Sequence, residues 1–177
     1  VMVEKAFKKK RDFAMLFKAE RGHVVMQGYS VFFNSIGDAY GGNLLGSQEE
    51  LVRVLHGDGV EETTLIMLTT ALEQILTELI DHDYEGYLGV DMLVDESGNV
   101  NPCVELNLRM TMGVVSLLWS RRFLGRNCRG VYRVARDAGK PCCPVVRDGR
   151  LVGGRLSLTP AGMGGFSFMV EVDKNVF

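Results

Sequence analysis

The sequence predicts an α+β fold in which helices pack on one face of an antiparallel sheet. Three observations carry this expectation. Runs rich in Val, Phe, Met and Tyr at 1–5, 12–19 and 23–33 have the composition of strands. The segment 60–82 repeats its leucines at helical spacing. After it, two further strand-like runs are joined by a short turn containing glycine, and the tail alternates apolar stretches with turn residues.

Taken in chain order, residues 1–3 read as the middle of a buried strand, which predicts that a longer chain precedes them. Arg21-Gly22 supplies the turn between the second and third strands. From 36 to 46 the character changes: glycines surround Asp38, Tyr40 and Asn43, predicting a loop with unusual backbone angles or a close approach to something else. Ser47 and Glu50 then have the spacing of a capping box opening a short helix. In the long helix, Leu65, Leu68, Leu72, Ile75, Leu76 and Leu79 are expected to share the buried face, with Glu62, Glu73, Gln74 and Asp81 off it. Strands at 86–94 and 100–109 flank the turn 95–99, where Gly98 can take a left-handed conformation. A helix follows over 112–123. The tail 131–173, punctuated by Asp148-Gly149, Gly153-Gly154 and Gly164-Gly165, reads as antiparallel strands and turns.

At 177 residues the chain fits one domain, with 1–124 as its core and 125–177 as a β-rich extension. A domain of this length buries roughly 70% of the surface of its unfolded chain, so no disulfide is required. Its composition, 46% hydrophobic and 24% charged, excludes a disordered chain. A net charge of -2 gives no reason to expect a nucleic-acid partner, and the basic run Lys8 to Arg11 reads as a solvated turn or strand edge. Cys103, Cys128, Cys142 and Cys143 lack the spacing of a zinc or redox motif and read as reduced thiols, which favours the cytoplasm. No run of about 18 apolar residues and no leader-like segment is present in the sequence. His23, His56 and His82 are dispersed, and no nucleophile is assigned.

The stretch that carries chemistry is Gly86 to Val94 with Cys103 to Arg109. Side chains alternate along a strand, so Glu105, Asn107 and Arg109 share one face while Val104, Leu106 and Leu108 share the other, which is expected to be buried. With 96–98 as the loop, Asp95 faces Asn99, and Asp91 falls near Cys103, one diagonal step from Glu105. Two carboxylates, an amide and a guanidinium then cluster. Hard oxygen ligands of this kind suit Mg²⁺, and Arg109 can grip phosphate oxygens in pairs. The same alternation also suits a plain half-exposed strand, so the pattern by itself leaves a structural role open. Asp95, Ser97 and Asn99 echo the start of a calcium loop, but Val100 stands where that loop needs glycine, which favours a plain hairpin.

Gly89-Val90-Asp91, a hairpin, then Glu105-Leu106-Asn107-Leu108-Arg109 running into Thr111-Met112-Gly113 resembles the metal-binding hairpin of the ATP-grasp superfamily, preceded as there by a long amphipathic helix. Val1-Met2-Val3-Glu4-Lys5-Ala6-Phe7 is similar to that fold's hinge strand, whose backbone contacts adenine. The resemblance covers residues 1 to about 124, and the last fifty or so are not diagnostic. It implies an ATP-grasp C-terminal subdomain from a ligase that activates a carboxylate as an acyl phosphate for attack by an amine or another nucleophile. Asp91, Glu105 and Asn107 are then the metal ligands, Arg109 the catalytic residue facing the transferred phosphoryl group, and Glu4, Lys5, Phe7 and Leu93 the nucleotide contacts. The implied cofactors are ATP with Mg²⁺, or Mn²⁺ in its place. The implied partners are a small-molecule carboxylate, a nucleophile and upstream domains of the same chain, with room for a homodimer and no role for nucleic acid or membrane. The family's phosphate-clamping lysines are expected upstream of residue 1, so this stretch alone is expected to be inactive. Two alternatives remain: a non-catalytic nucleotide-binding or protein-interaction module keeping the fold, and an enzyme of the biotin-carboxylase or carbamoyl-phosphate type.

Overall fold

A computed structural model describes residues 7–35, 39–80, 82–135, 143–159 and 166–173. The chain forms β1 (Lys9–Glu20), β2 (His23–Asn34), β3 (Tyr40–Leu45), α1 (Gln48–Gly57), α2 (Glu62–Leu79), β4 (Gly86–Asp95), β5 (Val100–Asn107), α3 (Met112–Phe123), β6 (Gly130–Ala135), β7 (Val145–Arg147), β8 (Arg150–Ser157) and β9 (Ser167–Val172). The strands join in one sheet in the order β5-β4-β1-β2-β3-β6-β9-β8-β7. Neighbours run antiparallel, so the expected fold class holds. Among the described residues no helix is long and apolar enough to cross a membrane.

β1 sits near the middle of the core, and its alternation divides the packing. Phe13, Met15 and Phe17 point to one face, where Leu51 and Leu55 of α1 and Leu65 and Leu76 of α2 cover them. Ala14 and Leu16 point to the other, where Val114 and Leu117 of α3 close over them. Helices α1 and α2 therefore lie together on one face, and α3 departs from the expected one-sided packing by covering a smaller patch on the opposite face. Arg21 and Gly22, at φ 54 and 76, make the tight turn that returns β1 into β2. The basic run is anchored: Arg11 Nε lies 2.6 Å from Asp58 Oδ2, and Lys10 Nζ 3.5 Å from Asp58 Oδ1, at the end of α1.

Two helix assignments were complete from local chemistry. Ser47 and Glu50 form the reciprocal capping box, and Thr111 caps α3 by accepting from the amide of Val114 at 3.3 Å. The long helix needs correction on its apolar face. Leu65 and Leu76 are buried and Leu68 and Leu72 pack beside the core, but Ile75 and Leu79 are 47% and 74% exposed. At about 100° per residue Ile75 falls on the flank of the seam through 65, 68, 72 and 76, whereas Leu79 falls in line with it and is exposed as the last residue of the helix. Glu73 and Thr77 face the sheet: Glu73 Oε1 accepts from the amide of Met26 at 2.7 Å and Thr77 Oγ1 from that of Val24 at 3.0 Å. Gln48 closes both backbone groups of Tyr29 in the same way, at 2.6 and 3.2 Å. Side chains from α1 and α2 thus satisfy a stretch of β2 that β3, paired only from Phe32 to Asn34, does not reach.

A second correction concerns the glycine-rich segment. Residues 40–45 are a strand with β2 on one side and β6 on the other. The sequence Tyr-Gly-Gly-Asn-Leu-Leu has poor strand propensity, and long-range pairing overrides it. The expected close approach is real at Gly42: a Cβ there would lie 2.0 Å from the carbonyl oxygen of Tyr132, and φ is 152. Residues 36–38, Asp38 among them, lie outside the described residues.

Candidate functional site

The hairpin β4–β5 is built by its turn. Gly98 takes φ 83, and the Asp95 carboxylate accepts from the amides of Ser97 and Asn99 and from Asn99 Nδ2 at 2.8, 2.9 and 3.1 Å. Asp95 is therefore a turn builder. The register then departs from the one expected. Leu93 pairs with Asn101, but Asp91 pairs directly with Glu105, and Gly89 with Asn107. Four steps on β5 oppose two on β4, a bulge centred on Pro102 to Val104. Proline cannot donate to a ladder, which is why such bulges collect it. The effect is to bring Glu105 straight across from Asp91 instead of one diagonal step away.

The other face of β5 is the reverse of the expectation. Val104, Leu106 and Leu108 are 57%, 43% and 50% exposed. Alternation fixes which residues share a face, whereas burial depends on what covers it. β5 ends the sheet, and among the described residues no helix lies over it.

On the functional face, Asp91 sits beside Ala14 of β1, and Asn107, nearly buried, donates from Nδ2 to Asp91 Oδ2 at 3.2 Å. Burial is the main reason the Asp91 carboxyl is pushed up to about 6; Glu105 and Asp12 add to this, while Arg109 and the Asn107 hydrogen bond oppose it. An acid held in this way lacks a full counter-charge. Arg109, exposed just past Asn107, shares a cleft of about 300 Å³ with Asp91, Glu105 and Asn107. The first turn of α3 closes one side. Gly113 comes so near the sheet that a Cβ would meet Ser30 at 3.0 Å, and Gly89 faces Thr111 at 3.3 Å, so both glycines allow helix and hairpin to approach.

The structure thus gathers Asp91, Glu105, Asn107 and Arg109. It places Leu93 half-buried on β4 between Asp12 and Asn101, outside this cleft. Phe7 is 47% exposed ahead of β1 and likewise does not line the cleft. Glu4 and Lys5 lie outside the described residues. Four residues not assigned a site role from the sequence also face this region, two of them, Tyr40 and Asn43, from the glycine-rich segment noted there. Ser30 of β2 and Tyr40 and Asn43 of β3 line the opposite wall of the cleft. Asp12 of β1, paired with Lys9 at 2.8 Å, borders a smaller hollow shared with Asp91 and Glu105. Asp12 and Ser30 are polar residues in strand-like runs and Tyr40 and Asn43 stand among glycines, and only the pairing of distant strands brings the four together.

A metal fits this donor set in part. Two carboxylates and an amide converge, one acid raised to about 6 chiefly by burial and next by the neighbouring carboxylate. Among the described residues no group of three acidic, histidine or cysteine side chains is placed to hold an ion. Mg²⁺ commonly takes one or two carboxylates and completes its shell with phosphates and water, so the residues suit an ion that arrives with a nucleotide.

No family model and no curated protein matches the sequence. Solved structures do match. The L-amino acid ligase from Bacillus licheniformis is 13% identical with a TM-score of 0.54, over 96% of this chain and 50% of that one. The biotin carboxylase from Campylobacter jejuni, in a β,γ-ATP complex, is 12% identical with a TM-score of 0.55, over 97% and 43%. A protein from Archaeoglobus fulgidus placed in the ATP-grasp superfamily is 15% identical with a TM-score of 0.50, over 94% and 47%. The chain spans half or less of each of these structures.

Proposed function

Since the chain has the ATP-grasp fold, we propose that it forms the Mg²⁺-nucleotide half of an ATP-dependent ligase that activates a carboxylate as an acyl phosphate. The observation that carries this reading is the direct pairing of Asp91 with Glu105 beside Asn107, with Arg109 in the same cleft.

Asp91, Glu105 and Asn107 would hold Mg²⁺, or Mn²⁺ in its place, and the ion would draw charge off the phosphate oxygens. This chain's residues do the rest. Asp91 and Glu105 would fix the ion-bearing end of the nucleotide. Arg109 orients the γ-phosphoryl group through paired hydrogen bonds and offsets the charge that grows as it transfers. The amides of the α3 first turn favour an anion at the same end. An oxygen of the substrate carboxylate bonds to the γ-phosphorus, the bond to the bridging oxygen breaks, and ADP leaves with that electron pair. An amine or other nucleophile then attacks the acyl carbon, loses its proton, and releases phosphate. No protein nucleophile is needed, because phosphoryl transfer of this kind depends on positioning and charge stabilisation.

We assign base recognition to residues 4–7 and Leu93, following the likeness of the first segment to a hinge strand. The test is carboxylate-dependent ADP release by the full-length protein, with hydroxylamine present to trap an acyl phosphate as its hydroxamate. Hydroxamate formation lost in Glu105→Ala supports the reading. ADP release without hydroxamate, or unaffected by that substitution, overturns it.

A further inference from the structure

The cleft has two chemically different walls. All of its charge lies on the hairpin side, in Asp91, Glu105 and Arg109, while the β2–β3 side offers Ser30, Asn43 and Tyr40 with the ring of Phe32. Ser30 and Asn43 are 2% and 1% exposed. They form a connected set: Tyr40 Oη donates to Asn43 Oδ1, and Asn43 Nδ2 donates to Ser30 Oγ at 2.5 Å.

Their arrangement depends on a local break in the strand. Phe33 pairs with Gly42 and Asn34 with Tyr40, leaving Gly41 without a partner. Strict alternation would put Tyr40 and Asn43, three residues apart, on opposite faces; the bulge at Gly41 turns Tyr40 onto the face of Asn43. A Cβ at Gly41 would meet Phe33 and the Ser35 amide at 3.0 Å, so the bulge depends on glycine. Bulges of this kind re-aim side chains beside functional sites.

Resting on the ligase reading, we propose that Ser30, Asn43 and Tyr40 read the acid substrate, and that this acid is small and carries a neutral hydrogen-bonding group, a carboxamide or a hydroxyl. Among the described residues of this wall a charged group would find no counter-charge, at a cost in a partly desolvated cleft. An apolar group would leave the spare hydrogen-bonding capacity of the three side chains unmet, the condition under which a polar site rejects an apolar analogue. Burial raises the Tyr40 phenol well above its ordinary range, which keeps it neutral. The cleft volume, about 300 Å³, suits a small acid.

The experiment uses the full-length protein and two near-isosteric sets: L-asparagine, L-leucine and L-aspartate, and their counterparts succinamate, 4-methylpentanoate and succinate. Hydroxamate formation with ATP gives kcat/KM for each. The expected result is preference for the carboxamide in at least one set. Tyr40→Phe and Ser30→Ala should each cut that preference by about five- to tenfold, the loss of one neutral hydrogen bond, lowering kcat/KM for the carboxamide more than for the apolar acid. Preference for the apolar or charged acid overturns the inference and leaves the ligase reading standing. So does an unchanged preference in both variants, or an equal fall for all acids. No hydroxamate from any acid overturns both.

Discussion

Replacing Asp91 by Asn separates what this carboxylate costs the fold from what it does for the site. The group ionises near 3.8 when free and near 6 in the folded chain, chiefly because it is buried. The folded state therefore binds the proton more tightly than the unfolded state. The contribution of this group to stability is most favourable below about 4, falls as pH rises towards about 6, and stays at the lower level above it. A shift of about two units corresponds to about 3 kcal/mol at 1.36 kcal/mol per unit. The side chain opens onto a solvent-filled cleft, and screening reduces this to about 1–2 kcal/mol. Asn at 91 keeps an oxygen that can accept from Asn107 Nδ2, 3.2 Å away in the native protein. Asp91→Asn should thus be about 1–2 kcal/mol more stable than the native protein at pH 8 without divalent ions, and indistinguishable from it near pH 3.5. Urea denaturation across this range with chelator present measures both. A variant less stable than the native protein at pH 8 would refute the reasoning and make the carboxylate a structural group.

Three other substitutions test separate parts of the structure. Arg109→Lys should fold normally, since the side chain is exposed, yet lose about a hundred- to a thousandfold in turnover, or about 2.7–4 kcal/mol; unchanged turnover with a lower Tm would make Arg109 structural. Gly42→Ala should cost at least about 2 kcal/mol in urea denaturation, because its Cβ would lie 2.0 Å from the Tyr132 carbonyl oxygen at φ 152. Thr77→Val, nearly the same shape, removes the acceptor for the Val24 amide and should cost about 1–3 kcal/mol by the same measurement.

What the sequence made legible was local. The Ser47–Glu50 box, the Gly98 turn and the start of α3 each depend on residues within a few positions of one another, and each is where spacing placed it. Alternation likewise put Glu105 and Asn107 on one face. What stayed hidden was set at long range. The strand at 40–45 exists because β2 and β6 flank it. Asp12, Ser30, Tyr40 and Asn43 reach the site only through strand pairing and, for Tyr40, a bulge. The direct opposition of Asp91 and Glu105 depends on a register break near Pro102 that a uniform hairpin does not foresee. The exposure of Val104, Leu106 and Leu108 follows from the position of β5 at the sheet edge, which no periodicity within the strand encodes.

Calorimetric titration of the full-length protein with ADP, with and without Mg²⁺, tests the central claim most directly, alongside Glu105→Ala and Asp91→Asn. The account predicts that Mg²⁺ strengthens ADP binding in the native protein, that either substitution removes the Mg²⁺-dependent part, and that ADP binding without metal is left nearly unchanged. Equal Mg²⁺ dependence in the native protein and both variants would contradict it, placing the metal-nucleotide site away from the Asp91–Glu105 pair.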